Sequence, residues 1–376
     1  MTARAICFAG TAMEEGEYVM GLKGNVKKVY RKLRACYSKK QSQKKFRTGI
    51  AHHYQKTTDM LIPDLTEEKK REIEEYWTSH GITLSSTEWH RLYYAKTGIE
   101  NPRFVPDDVF HRVIRPKMND YKFTGVWSDK AYLDFFLRGV NAPRSVVRNV
   151  NGRFLDESLH LIDMEQAQNI MDQYETLVIK PSTFTDTGKG VQLLKKPFSL
   201  ATLKKQYKKD FVIQIPLRQH ADMAKLNASS INTIRVNSVL LDTEVHVMSA
   251  FVKVGQAGEF ADNSGHDRYF IGIGSDGKYK DYAIDHDLNK YTSIPSGFAF
   301  AGQPVPCYEK MCRMIEKAHA CVARFGFAFW DVCIREDGEP VVVEMNLRYP
   351  DSYVPQVASG PFLGEYTDEI LAYIAR

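Results

Sequence analysis

The sequence predicts an α+β fold, and three observations lead there. From about residue 121 onward, short runs rich in β-branched and aromatic residues are interspersed with segments of helical periodicity. The turn pairs Asn151-Gly152 and Asp337-Gly338 fall next to such runs and signal reversals of the chain. Antiparallel hairpins mixed with helices fit α+β layers and not a doubly wound parallel sheet.

The elements follow in order. Residues 1–75 read as helical and polar, ending in LTEEKKREIEEYW. Residues 76–120 hold aromatic, Pro-bounded pieces (WHRLYYAK, NPRFVPDDVFHRVIRPKMND) that read as helices and loops. WSDKAYLDFFLRGV reads as an amphipathic helix, followed by strand SVVRNV, the Asn151-Gly152 turn and helix MEQAQNIMDQY. Strand TLVIK, a Gly-bearing loop, strand VQLL, helix SLATLKKQY and strand FVIQI come next. INTIRVNSVLL, EVHVMSAFVKV and RYFIGI are three further strands, residues 307–325 a helix, and FAFWDVCIREDGEPVVVEMNLRYP a closing hairpin. The expected organisation is a helical region 1–120, a first α+β part 121–215 and a second part 216–376.

At 376 residues, with 12% aromatic and 26% charged residues, the chain can build large cores. No apolar run approaches the ~20 residues of a membrane helix. The opening MTARAICFAGTAMEEGE has one Arg, a short apolar run and then acids, a poor match to a secretory signal. Six cysteines without C-x-x-C spacing read as reduced thiols in a cytoplasmic protein. The net charge of +5 is uneven. Residues 23–47 carry eleven Lys or Arg and no acid, so the remainder is net −6. Leu22, Val26, Val29, Leu33 and Cys36 recur there at helical spacing, giving a basic amphipathic helix. It suits an anionic glycan or a membrane surface, which would make the protein membrane-peripheral, or else it is a solvated helix docked on the rest. Nucleic acid is the weakest partner, since no base-reading module accompanies it.

The closing hairpin carries the sharpest chemical signal. With a two-residue turn at Asp337-Gly338, Glu336 faces Glu339, and further along the same ladder Asp331 faces Glu344. Their Cβ atoms would lie about 4.5–5.5 Å apart. Asn346, two residues on, projects from the same face. Two carboxylates facing each other among Phe329, Trp330, Val332, Val342 and Met345 repel strongly, and burial adds to the cost. A divalent cation with oxygen ligands, such as Mg²⁺, would resolve both. A turn placed one residue away would instead put the acids on opposite faces.

Two further segments suit phosphate. In TLVIKPSTFTDTGKGVQLL, Lys180 ends an apolar strand and needs an anionic partner. Thr187, Gly188, Lys189 and Gly190 follow as a flexible basic loop; it is not a Walker loop, because a strand and not a helix comes after it. Taken alone, the loop better fits an ordinary hairpin turn. FVIQIPLRQH stops at Pro216, as edge strands do, and leaves backbone groups that can pair with an adenine edge. Arg235, inside INTIRVNSVLL, asks for an anion, either a structural carboxylate or a phosphate.

V-I-K-P, then G-K-G-V, then a strand with a Pro stop, then D…E-x-N, in this order, resemble the ATP-grasp superfamily. The resemblance is closer to its sugar-transfer-associated branch, found with surface polysaccharide biosynthesis. That branch has counterparts of FVPDDVFHRVIRPKMND, SDKAYLDFF, APRSVV and S-x-N-T-I-R-V, over roughly residues 100–365. The resemblance implies ATP clasped between two α+β subdomains of an ATP-grasp fold. Lys180 and Lys130 would contact phosphates, Gly188 to Gly190 would form the flexible loop, and Gln214 and Ile215 would line the adenine hinge. His220 would reach the ribose, Arg235 the phosphates or the transferred phosphoryl group. Asp331, Glu344 and Asn346 would hold Mg²⁺, with Mn²⁺ as a substitute. Two departures stand out. The loop ADNSGHDRY has Gly265 alone where many relatives have a tandem Gly after Asn, here Asn263. After Asn346 the chain reads LRYPDSY and lacks the usual Pro-Gly, leaving Arg348 to meet an acyl phosphate if the strand continues.

The implied activity is an ATP-dependent carboxylate–amine (or carboxylate–thiol) ligase working through an acyl phosphate. A glycan or small-molecule carboxylate and an amine would be its substrates. The alternatives are a kinase acting on a hydroxyl, and a non-catalytic, nucleotide-gated adaptor for a glycan or membrane.

Overall fold

The computed structural model describes residues 50–57, 59–183, 190–260, 268–348 and 352–376. The basic segment 23–47 lies outside the described residues, as do Thr187, Gly188, Lys189 and Asn263. The chain divides into a unit Met1–His52, of which only residues 50–52 are described, and a unit His53–Arg376 that holds both sheets. No helix among the described residues is long and apolar enough to cross a membrane.

Helices α1 (Glu67–Ser79) and α2 (Glu88–Thr97) precede a helical stretch, Asp107–Met118, that contains a π-helical turn at Phe110–Ile114. Two antiparallel sheets follow. The first has strands β1 (Ser145–Val150), β2 (Arg153–Leu155), β3 (Leu161–Ile162), β4 (Thr176–Pro181), β5 (Gln192–Lys195) and β6 (Phe211–Gln214), in the order β3-β2-β1-β6-β4-β5. Asn151 and Gly152, with φ of 49° and 84°, make the positive-φ two-residue turn between β1 and β2. Helices α3 (Met164–Met171) and α4 (Leu200–Tyr207) cover this sheet with Ala167, Met171, Leu200 and Leu203, against Leu177, Ile179, Phe211 and Ile213. A capping box starts α3: the Asp163 carboxylate accepts from the Gln166 amide, and the Asp163 amide donates back to the Gln166 side chain.

The second sheet has strands β7 (Ile234–Leu241), β8 (Glu244–Val254), β9 (Tyr269–Ile273), β10 (Tyr279–Ile284), β11 (Lys290–Tyr291), β12 (Phe327–Ile334) and β13 (Pro340–Asn346), in the order β11-β10-β9-β8-β7-β12-β13. Its two faces differ because side chains alternate along each strand. On one face Val236, Val252, Trp330, Val332, Val342 and Met345 pack under helix α5 (Tyr308–Cys321), which contributes Met311, Ile315 and Ala318. On the other, Phe110 packs on Phe327 and Phe329. There helix α6 (Tyr353–Ser359) crosses β9 so closely that a Cβ on Gly272 would stand 1.9 Å from the Ala358 carbonyl oxygen. Helix α7 (Thr367–Ala375) closes the chain.

The expected helix WSDKAYLDFFLRGV is broken into short pieces: a helical turn Thr124–Trp127, a 3-10 turn Lys130–Tyr132 and a helical turn Leu133–Phe136. The cause is local. The Asp129 carboxylate accepts from the Ala131 amide at 2.9 Å, and the Lys130 amide donates to the Ser182 carbonyl at 3.0 Å instead of to its own helix. The amphipathic pattern was real, but the polar groups compete for the backbone.

Candidate active site

The hairpin β12–β13 sets Asp331 opposite Glu344, with Phe329 opposite Asn346. It reaches this register by a route the sequence did not suggest. The loop is three residues long, Glu336-Asp337-Gly338, with the Arg335 amide bonded to the Glu339 carbonyl and Gly338 at φ 78°. Glu336 therefore does not face Glu339, and Ile334 faces Pro340. This turn is one residue away from the expected one, and alone it would place Val343 against Asp331. A bulge at Val343 absorbs the difference, since Val332 faces Val342 while Asp331 faces Glu344. Val342 and Met345, three residues apart, both point into the core as a result. The two irregularities cancel.

A row of side-chain positions crosses the sheet on this face: Phe251, Arg235, Asp331 and Glu344. Asp331, 4% exposed, is held from two sides. Its Oδ1 accepts from Arg235 Nε at 2.6 Å, and its Oδ2 lies 2.8 Å from Lys253 Nζ. Asn346 Nδ2 reaches the same Oδ2 at 3.5 Å. Burial pushes the Asp331 carboxyl up, but Arg235 and Lys253 more than offset it and hold the group well below the ordinary carboxylate value. The repulsion expected between Asp331 and Glu344 is thus already answered by protein cations. Glu344 has its own, Lys130, whose Nζ sits 3.0 Å from Oε1.

Lys130 is brought in from the first sheet. Its 3-10 turn is tied to the end of β4 through Ser182 and to β1 through Arg148. Arg148, 1% exposed, donates to the carbonyls of Ala131, Asp156 and Glu157 and pairs with Asp134. Lys180, at the end of β4 and 7% exposed, has no hydrogen-bond or ion-pair partner among the described residues. Burial first and the nearby Lys130 second lower its pKa to about 8, against a smaller upward pull from Glu344. The buried hydroxyl of Ser182 also lacks a hydrogen-bond partner among the described residues. Four cationic side chains, Lys130, Lys180, Arg235 and Lys253, therefore surround two carboxylates where the sheets meet. Such a surplus among largely buried side chains suits a polyanion.

The remaining expected residues fall as follows. Gly190 has φ 79°, and a Cβ there would press on the Pro181 ring at 3.0 Å, so glycine is required. Gln214 is buried with its amide donating to Ser145 Oγ at 2.9 Å, and the Ile215 amide donates to the Arg144 carbonyl. His220 caps the short helix Ala221–Ala224, its Nδ1 accepting from the Asp222 amide at 3.2 Å. The strand carrying Asn346 ends there: Leu347 turns into the core, and Arg348 is exposed, with its carbonyl bound by Arg115. Sequence reasoning missed Lys253 and Arg148. The signal for Lys253 was present, a lysine in the apolar run FVKV beside a glycine, the same argument that singled out Lys180. Arg148 likewise sits inside an apolar strand, SVVRNV.

The family described as sugar-transfer associated ATP-grasp matches residues 110–371. Among solved structures, the chain is similar to an L-amino acid ligase from Bacillus licheniformis (15% identity over 61% of this chain and 42% of that one, TM-score 0.36). It is also similar to the ATP-grasp ligase PsnB complexed with minimal precursor, Mg and ADP (15%, 69% and 62%, TM-score 0.38). A third is VanG D-Ala:D-Ser ligase from Enterococcus faecalis (13%, 66% and 61%, TM-score 0.40). The chain spans less than two thirds of the length of each. No curated protein matches it significantly.

Proposed function

This chain belongs to the sugar-transfer associated ATP-grasp family, and from that premise we propose that it is an ATP-dependent carboxylate–amine ligase. The observation that carries the reading is the buried Lys180 ammonium without a partner among the described residues, beside Lys130 and the two carboxylates. A buried, unpaired charge is costly, and a nucleotide phosphate is an anion that would offset it.

The residues fit both the nucleotide and Mg²⁺. Asp331, Glu344 and Asn346 offer oxygen donors only, the set a hard cation takes. The described residues hold no cluster of three His, Cys, Asp or Glu, so phosphate and water oxygens would complete the shell. That is how Mg²⁺ is ordinarily held, by one or two carboxylates with substrate phosphates. Bound there, the metal would neutralise phosphate charge during phosphoryl transfer.

In the proposed reaction a substrate carboxylate oxygen attacks the γ-phosphorus of ATP. The bond from that phosphorus to the β–γ bridging oxygen breaks, and ADP leaves with the electron pair. An amine nitrogen then attacks the acyl carbon of the resulting acyl phosphate. Inorganic phosphate departs, and the nitrogen loses its proton to water. Lys180 and Lys130 would hold the phosphates, covered by the loop of Thr187, Gly188, Lys189 and Gly190. Gln214 and Ile215 would border the adenine and His220 the ribose. Arg235, fixed by Asp331, would stabilise the phosphoryl group in flight, with Lys253 beside it. Asn263 would meet the acyl phosphate, a role that Arg348 was expected to share only if the strand ran on past Asn346, where it in fact ends. The family's association with sugar transfer points to a uronic-acid or other glycan carboxylate joined to an amino group, in surface polysaccharide modification in the cytoplasm.

An ADP-release screen of carboxylic acids against amines with Mg²⁺ tests this. Release that needs both substrates and yields free phosphate supports ligation, whereas phosphate retained on a hydroxyl product makes the enzyme a kinase. Glu344→Gln should lower turnover on the order of 10²–10³-fold with the fold intact. Unchanged turnover would remove Glu344 from the site.

A further inference from the structure

The two carboxylates of the candidate metal site are not bare: Lys130 lies 3.0 Å from Glu344, and Lys253 and Arg235 grip Asp331. The two grips differ. Asp331 and Lys253 are buried and lie with the half-buried Arg235 on one sheet, whereas Glu344 is partly exposed and its lysine comes from a separate turn anchored to the first sheet. Lys130 also lies close enough to Lys180 for the two ammonium groups to repel. A cation bound to Glu344 must therefore compete with an ammonium that would gain from moving toward a phosphate. We propose that Lys130 is a placeholder on Glu344: it blocks divalent metal from the nucleotide-free protein and releases the carboxylate when phosphates draw it away. This rests on the Mg²⁺–ATP reading of the same site. It adds that the nucleotide opens the metal site, so metal and nucleotide affinities are coupled through one side chain. Linkage makes that coupling reciprocal, and coupling between bound ligands commonly lies in the 5–150-fold range.

The test is Mn²⁺ binding to the full chain, followed by electron paramagnetic resonance, with and without ADP. Wild type should bind Mn²⁺ weakly alone and at least ~10-fold more tightly with ADP. Lys130→Met should bind Mn²⁺ ~10-fold more tightly than wild type without nucleotide, and the gain on adding ADP should shrink by about the same factor, leaving what the phosphate oxygens contribute as ligands. Lys130→Arg, which keeps a cation on Glu344, should stay as weak as wild type. Lys180→Met removes a neighbouring charge that is not paired with Glu344; it should raise nucleotide-free affinity much less. Equal gains in Lys130→Met and Lys180→Met would overturn the proposal in favour of a general field effect, and no gain in Lys130→Met would overturn it outright. Melting curves show whether each variant is folded, and the Lys130→Arg and Lys180→Met arms stand if Lys130→Met is not. Should Glu344→Gln leave ADP-dependent Mn²⁺ binding unchanged, the metal-site reading itself fails, which separates the two failures.

Discussion

The two sheets bring opposite electrostatic states to the candidate site. On the second sheet, Asp331 is an anion buried with two cationic partners, Arg235 and Lys253, and its charge is fully answered within the protein. On the first, Lys180 is a cation buried with no partner among the described residues, held below its ordinary pKa by burial and by Lys130. The sequence flagged both, the facing carboxylates as an unsolved repulsion and Lys180 as a cation in need of an anion, and only the first is answered by protein cations. What the difference teaches is where a ligand contributes most. The second sheet is organised without one, and the first carries a cost that an anion would relieve.

Substitutions on the two sides should therefore move stability in opposite directions. Asp331→Asn strands the buried Lys253 ammonium and the half-buried Arg235 guanidinium and should destabilise the protein by about 3–5 kcal/mol, read as a lower denaturant midpoint. An unchanged midpoint would mean that Arg235 and Lys253 find other partners. Lys180→Met removes a buried ammonium without a partner among the described residues and should stabilise the nucleotide-free protein by about 1–3 kcal/mol at pH 7 while weakening nucleotide binding. A destabilised Lys180→Met would show that the lysine is already satisfied.

The pH dependence sharpens the same contrast with a smaller effect. Lys180 titrates at about 8 in the folded chain against an ordinary 10.5, so between those values the unfolded state binds more protons. Stability of the nucleotide-free protein should therefore rise with pH from this group, by about 1 kcal/mol per unit at most, and Lys180→Met should lose that rise. Asp331 acts at the other end. Its stabilisation is present above the ordinary carboxylate value of 3.8 and is lost as pH falls below that toward its depressed folded value. Unfolding followed across both ranges in wild type and the two variants checks the pair.

Much of the fold was legible because alternation is a strong signal. The runs around Val146, Ile179, Ile213, Val236 and Val252 formed strands, since each buries one or both faces. The Asp331–Glu344 pairing was legible too, but for an incomplete reason. Gly338 with its positive φ accommodates a three-residue loop as readily as the expected two-residue one, and the run Val341-Val342-Val343 hides the bulge that restores the register. Asp129 broke an expected helix because its carboxylate caps the backbone, an interaction that apolar periodicity does not record. Lys253 and Arg148 escaped notice because their partners, Asp331 and the Ala131 carbonyl, lie far along the chain. Charge satisfaction depends on tertiary neighbours.

A nucleotide phosphate is the anionic partner proposed for Lys180. Calorimetric titration with a non-hydrolysable ATP analogue and Mg²⁺ near pH 8, in buffers of differing ionisation enthalpy, tests it directly. Phosphate binding should favour the charged lysine, so wild type should take up a fraction of a proton per nucleotide bound and lose affinity as pH rises above about 8. Lys180→Met should bind more weakly and without that uptake. Equal affinity in wild type and Lys180→Met, with no difference in proton uptake, would contradict the account.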